Sequence, residues 1–205
     1  MTTSSKIIEN LKNVPQAINT LAKYDEDLSN ALKNVMTKLK LTFVTWESPD
    51  LTENMKDAFK IPIWDRDFFS AFTQVPQVTI SNYFYKRNST SPPEKVKTGD
   101  TIVSIEAIPN GAYSKIDWDK KPWPCVLPLE ASLLYAWVHI ATEDSEEDFD
   151  HLLDNIPGYP TDKEGVFVPE RPNTFGWFGK FDLGAFLDDQ TAFIESLDKI
   201  LAEKS

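Results

Sequence analysis

The first 40 residues carry apolar side chains at the spacing of an amphipathic helix. The stripe comprises Ile7, Leu11, Val14, Ile18, Leu21, Leu28, Leu32, Val35 and Leu39. Pro15 interrupts it, so we expect a short helix over residues 5–13 and a longer one over 16–40, with Pro15 in the first turn of the second helix. Asp25 lies where a heptad register requires an apolar residue. This favours a packed or antiparallel helix over a long coiled coil.

Segments of β-branched and aromatic residues predict strands further along the chain. They are residues 41–46, 75–86, 100–108, 165–168 and 173–184. The turn sequence Pro109-Asn110-Gly111 follows the third of these segments. We therefore expect residues 112–118 to return antiparallel to it and complete a hairpin.

Several shorter segments predict helices. One begins near residue 49 and another after Ser145. The others span residues 65–72, 129–142 and 188–203. Residues 129–142 are apolar on nearly every side, so we interpret them as a buried helix. The last segment is amphipathic, with Phe193, Leu197, Ile200 and Leu201 on one face.

Together these patterns predict an α+β fold, in which a mostly antiparallel sheet of about five strands packs with N-terminal and C-terminal amphipathic helices. With 205 residues and no repeat or clear linker, the chain is expected to form a single domain over residues 1–205, its N-terminal segment 1–40 being helical. Residues 87–99 are polar, include a proline pair and offer almost nothing to bury. We expect them to form a mobile loop.

Cysteine usage and hydropathy favour a cytoplasmic protein. Cys125 is the single cysteine, which excludes an intramolecular disulfide framework. The N-terminus lacks the pattern of a secretory signal, and no apolar run approaches the roughly 18 residues of a membrane span. One counter-signal is the glycosylation sequon at Asn88, a pattern so short that it often occurs by chance.

The net charge of -11 is unevenly distributed. Residues 1–100 carry 13 Lys and Arg against 12 Asp and Glu, whereas residues 101–205 carry 8 against 20. An acidic surface of this kind repels nucleic acid and anionic membranes, and it attracts basic partners. We therefore expect a basic protein partner, and neither nucleic acid nor membrane.

The acid is densest in one segment. Glu143, Asp144, Glu146, Glu147, Asp148, Asp150 and Asp154 fall within twelve positions, and no Lys or Arg occurs between Lys121 and Lys163. A solvated helix face and an electrostatic docking patch for a basic protein both account for them. The segment lacks the glycine and ligand spacing of a calcium-binding EF-hand loop, and we expect no metal.

Residues suited to catalysis are few. His139 and His151 are not at the spacing of a helical metal pair, and Cys125 has no CxxC partner. The glycines at 176, 179 and 184 match neither the dinucleotide-binding nor the phosphate-binding loop, so no cofactor is expected. A nucleophilic Cys125 paired with either histidine stays open, since such partners meet in space rather than in sequence.

One aromatic residue of the last predicted strand departs from the core pattern. With a period of two, Phe175, Trp177, Phe181 and Leu183 lie on one face of residues 173–184, and that face is expected to be core. Phe178 is the large apolar residue of the other face. If exposed it is a candidate contact anchor, and if covered it marks a central strand.

These features favour a non-enzymatic acidic protein-binding domain. Within that class, an immunity-type inhibitor that neutralises a basic toxin or effector is the first expectation, by analogy of charge. Its predicted contact residues are the seven acids from Glu143 to Asp154 together with Phe178. A hydrolase or transferase with an unrecognised active site, and a structural or virion-assembly protein, are the alternatives.

Overall fold

An antiparallel sheet flanked by helices is the architecture of the computed structural model, which describes residues 3–47, 81–87, 97–111, 130–144, 164–165, 168–171 and 174–203. The helices are α1 (Thr3–Leu39), α2 (Leu183–Asp188) and α3 (Thr191–Glu203). The strands are β1 (Thr42–Glu47), β2 (Ser81–Arg87), β3 (Thr101–Ile108), β4 (Leu133–Ala141), β5 (Val168–Arg171) and β6 (Thr174–Asp182). The predicted α+β class is confirmed.

The sheet has the strand order β1-β2-β3-β4-β6-β5, and every neighbouring pair is antiparallel. Val138 of β4 lies opposite Val103 of β3 on one side and Trp177 of β6 on the other. This register places alternate residues of the three central strands on the same face of the sheet.

One face of the sheet and the helices enclose the hydrophobic core. The sheet contributes Val103, Ile105, Ala107, Leu134, Ala136, Val138, Ile140 and Trp177. The helices contribute Leu28, Ala31, Leu32, Val35, Leu39, Leu183, Phe186, Phe193, Leu197, Ile200 and Leu201. Gln190, between α2 and α3, accepts a hydrogen bond from Asn34 Nδ2 at 2.9 Å and so links the C-terminal helices to α1.

The predicted helix at 129–142 is wrong, because this segment contains the central strand β4. Both edges of β4 are paired, to β3 and to β6, and residues 136–141 are all buried. A strand covered on both faces is apolar on both, so it lacks the polar and apolar alternation of a half-exposed strand. Periodicity alone does not separate such a run from a buried helix.

The return strand of the predicted hairpin, residues 112–118, lies outside the described residues. Strand β3, its predicted partner, pairs with β2 along one edge and with β4 along the other. The predicted strand at 165–168 shares only Val168 with β5, because Glu164 and Gly165 form a turn. Turn residues on either side of so short a strand obscure its bounds.

Pro15 does not divide the N-terminal region, which forms the single helix α1. Proline removes one backbone hydrogen bond from a helix interior, but the helix continues through Pro15. Strands β1, β3 and β6 and the terminal helix α3 confirm the predictions made for those segments, except that Leu183 and Gly184, predicted at the end of the last strand, begin α2 instead. Within the described ranges, no helix combines the length and apolar character needed to cross a membrane.

Several predictions lie outside the described residues. They are the helices near residue 49, at 65–72 and after Ser145, most of the loop 87–99, the sequon at Asn88, Cys125 and His151.

Candidate functional site

The acidic segment begins where β4 ends. Strand β4 finishes at Ala141, and the exposed residues Glu143 and Asp144 follow it. The backbone of Ala141 accepts a hydrogen bond from Gly99 N at 2.8 Å and donates one to Asp100 O at 3.0 Å. Backbone pairing therefore fixes the start of the acidic segment against the turn formed by residues 97–100.

Asp144 holds that turn through its carboxylate. Its Oδ1 accepts hydrogen bonds from Thr98 N at 2.8 Å and from Thr98 Oγ1 at 2.9 Å. Within the turn, Asp100 Oδ2 accepts from Lys97 N at 3.0 Å, and Gly99 has a φ of 85°, in the left-handed region that favours glycine. One acid of the predicted contact set thus has a structural role.

The same contacts set the ionisation of Asp144. Hydrogen bonds from the backbone N–H and then the hydroxyl of Thr98, with a smaller contribution from the charge of Lys97, hold the pKa of Asp144 below its ordinary value. These donors stabilise the charged form of the carboxyl group. Asp144 is therefore a fixed negative charge at the rim of the sheet at neutral pH.

The structure places three of the eight predicted contact residues. Glu143 and Asp144 are exposed and adjacent, whereas Phe178 is buried with 2% of its surface accessible. The other five, Glu146, Glu147, Asp148, Asp150 and Asp154, lie outside the described residues.

Phe178 belongs to the second face of the sheet, opposite the helices. Its ring meets that of Tyr135 edge to face, with 5.3 Å between centroids. The backbone of β6 also bonds to residues 164 and 165 here. Phe178 O accepts a hydrogen bond from Gly165 N at 2.8 Å, and Lys180 N donates to Glu164 Oε1 at 3.2 Å. Because it is buried, Phe178 offers no exposed anchor for a partner, and the alternative interpretation of a central strand applies.

Polar and aromatic residues accompany Phe178 on this second face. They are Ser104 and Glu106 of β3, and Tyr135, Trp137 and His139 of β4. Ser104, Glu106 and His139 are buried, and the rings of Trp137 and His139 are 4.3 Å apart between centroids. The sequence indicates this shared face, because Tyr135, Trp137 and His139 are spaced by two, as residues on one face of a strand are. The prediction of a helix for this segment did not use that spacing.

The register keeps the buried acid and the buried histidine apart. Glu106 lies opposite Tyr135, whereas His139 lies opposite Ile102, so four strand positions separate them. This corresponds to about 13 Å along the strand, beyond hydrogen-bond reach. Among the described residues, no group of three or more His, Cys, Asp or Glu side chains is arranged to hold a metal ion.

No protein-family model, curated protein or solved structure matches this chain.

Proposed function

We propose that this chain is a non-enzymatic protein-binding domain, which engages a basic protein partner through the acidic segment formed by residues 143–154. The observation that carries the proposal is the density of charge, seven Asp and Glu in twelve positions within a half-chain that holds 20 acids and 8 bases. Such a field accelerates encounter with a basic partner and selects against acidic ones.

The position of the first two residues of the acidic segment, Glu143 and Asp144, supports binding of a basic partner there. Glu143 and Asp144 are exposed, and the two hydrogen bonds from Thr98 hold Asp144 in one position. A charge that is already ordered before binding loses less conformational entropy when a partner binds.

An immunity-type inhibitor is the specific form of this function that we propose. Toxins that act on nucleic acid carry basic surfaces, because they must bind phosphate. An acidic domain that covers such a surface competes with the nucleic acid for the same positive charges. Charge complementarity is the support for this step, and no sequence motif contributes to it.

Co-expression tests the inhibitor proposal. Each basic protein encoded beside this chain would be expressed in a bacterial host, alone and together with the chain. We expect one of them to arrest growth alone and to be neutralised by the chain. If the toxic neighbours remain toxic in the presence of the chain, the inhibitor proposal is wrong.

The hydrolase or transferase alternative has one supporting observation, the burial of Glu106 and His139 on the second face of the sheet. Acid–base chemistry that uses these two groups requires a substrate long enough to span them, since they are too far apart to exchange a proton directly. A Glu106→Gln variant that retains its fold and loses activity against such a substrate would favour this alternative.

A further inference from the structure

The N-terminal half of α1 projects from the domain. Lys12 and all six residues from 15 to 20 are exposed, and the first α1 residue of the hydrophobic core is Leu28. Six consecutive exposed residues cover more than one full turn, so among the described side chains no side of the helix is buried in the core there. Residues 3–22 amount to about 30 Å of helix.

This projecting helix, residues 3–22, continues the apolar stripe of the packed half of α1. By sequence spacing, Ile7, Leu11, Val14, Ile18 and Leu21 step alternately by four and three positions, as do Leu28, Leu32, Val35 and Leu39. The second group is buried in the core, while Ile18 is exposed by 37%. An apolar stripe that continues into a part of the helix where Ile18 and its described neighbours are exposed indicates an interaction surface.

We propose that the projecting helix docks against the same helix of a second copy of this chain. This proposal is independent of the proposed function, because it uses a different surface.

Charge favours a second copy as the occupant. The projecting helix contains only Lys6, Glu9 and Lys12 as charged residues, within a chain of net charge -11. It is therefore a surface on which two acidic copies approach with little repulsion.

The residues that flank the stripe support the same occupant. In the heptad register of the stripe they are Ile8, Asn10, Pro15, Ala17 and Ala22, all uncharged. Charges at these positions normally select a different partner or oppose self-pairing. Without them, the flanking positions add no like-charge repulsion to the general repulsion between two acidic copies.

The apolar area is sufficient for a reversible dimer. Six large apolar residues, the five of the stripe and Ile8, lie on this face by sequence. At roughly 60–120 Å² each, the pair of helices removes roughly 700–1,400 Å² from water. This range includes the lower end of specific interfaces, about 1,200 Å², so association is expected to be concentration-dependent.

Sedimentation of the full chain over a wide concentration range tests the proposal. We expect a monomer–dimer equilibrium that strengthens as salt screens the repulsion between two acidic copies. The Ile18→Glu variant places a charge in the stripe and is expected to weaken dimerisation at least about tenfold. Its far-UV circular dichroism should remain that of the native chain, because Ile18 lies outside the core.

Asn19→Glu is the matched control, since it adds the same charge at an exposed neighbouring residue away from the stripe. We expect it to dimerise as the native chain does. A native chain that stays monomeric at every concentration, an Ile18→Glu variant that still dimerises, or equal weakening by both variants would overturn the proposal.

Discussion

Asp144 joins the end of β4 to the turn at 97–100 by accepting two hydrogen bonds from Thr98, from its backbone N–H at 2.8 Å and from its hydroxyl at 2.9 Å. The two residues are 46 positions apart in sequence. These two bonds hold the start of the acidic segment, residues 143 and 144, against the turn that precedes β3. The first charges of the surface that we propose for partner binding are therefore fixed in position.

Asp144→Asn should loosen this turn. The amide retains an oxygen acceptor but loses the charge that strengthens both hydrogen bonds. We expect faster hydrogen exchange at the Thr98 amide and little change at the amides of β3 and β4. Thr98→Ala removes only the hydroxyl bond and should produce the smaller effect. Unchanged exchange in Asp144→Asn would mean that the contact does not hold the turn.

The same contact should depend on pH. Because the folded pKa of Asp144 lies below its ordinary value of 3.8, the contact is complete above the unfolded pKa and is lost as pH falls through the folded pKa. Carbon-detected NMR titration should show the Asp144 carboxyl titrating below 3.8. In Thr98→Ala we expect that midpoint to rise, and a midpoint that did not move would exclude the hydroxyl as a cause.

Gly179 provides the space for the ring of Trp177. A Cβ built on Gly179 would lie 2.8 Å from Trp177 Cζ3 and closer still to Cη2. Gly179→Ala should therefore destabilise the fold by about 1–3 kcal/mol, as overpacking of a core does. Gly184→Ala is the control, since its Cβ would meet only the side chain of Asp182, at 3.2 Å, and a change below about 1 kcal/mol is expected. Urea unfolding measures both.

A double variant separates this clash from other causes. In Trp177→Phe the smaller ring vacates the position that the new Cβ requires. We expect Gly179→Ala to lower the free energy of unfolding by less in the Trp177→Phe variant than in the native chain, so that the effects of the two substitutions are not additive. Strict additivity would argue against direct contact between the residues.

The two halves of α1 should differ in their effect on stability. Leu32 is fully buried in the core, so Leu32→Ala should lower the free energy of unfolding by about 2–5 kcal/mol. Ile18→Ala, in the projecting half, should change it by less than about 0.5 kcal/mol. The comparison requires protein dilute enough to be monomeric. Equal losses would show that residues near Ile18 pack against the domain.

Local patterns in the sequence predicted those helices and strands whose apolar residues recur at a single regular spacing. Strand β6 alternates with Trp177 and Phe181 toward the core, and α3 presents Phe193 and Leu197 at helical spacing. Strand β4 was predicted as a helix, because residues of both its faces are buried and the spacing of two shown by Tyr135, Trp137 and His139 does not stand out as a polar and apolar alternation. The continuity of α1 through Pro15 was missed because proline normally ends a helix.

Of the candidate site, the sequence predicted the position of the acidic residues but not their contacts. Composition located the acidic segment, but the attachment of Asp144 to Thr98 depends on which strands are neighbours in the sheet. The polar residues Glu106 and His139 share a face only once β3 and β4 are paired. Pairing between distant strands is a property of the fold, and single residues do not encode it.

Binding of a basic partner to charge-reversed variants tests the central claim most directly. The variant Asp148→Lys/Asp150→Lys alters the acidic segment, and Asp188→Lys/Glu195→Lys makes the same change in net charge at exposed residues of α2 and α3. Affinity would be measured by calorimetry at several salt concentrations, against the basic protein identified by co-expression. We predict that the first variant loses at least about tenfold in affinity and much of the salt dependence, while the second binds as the native chain does. Equal binding by the native chain and the first variant would contradict the assignment of the acidic segment as the interface.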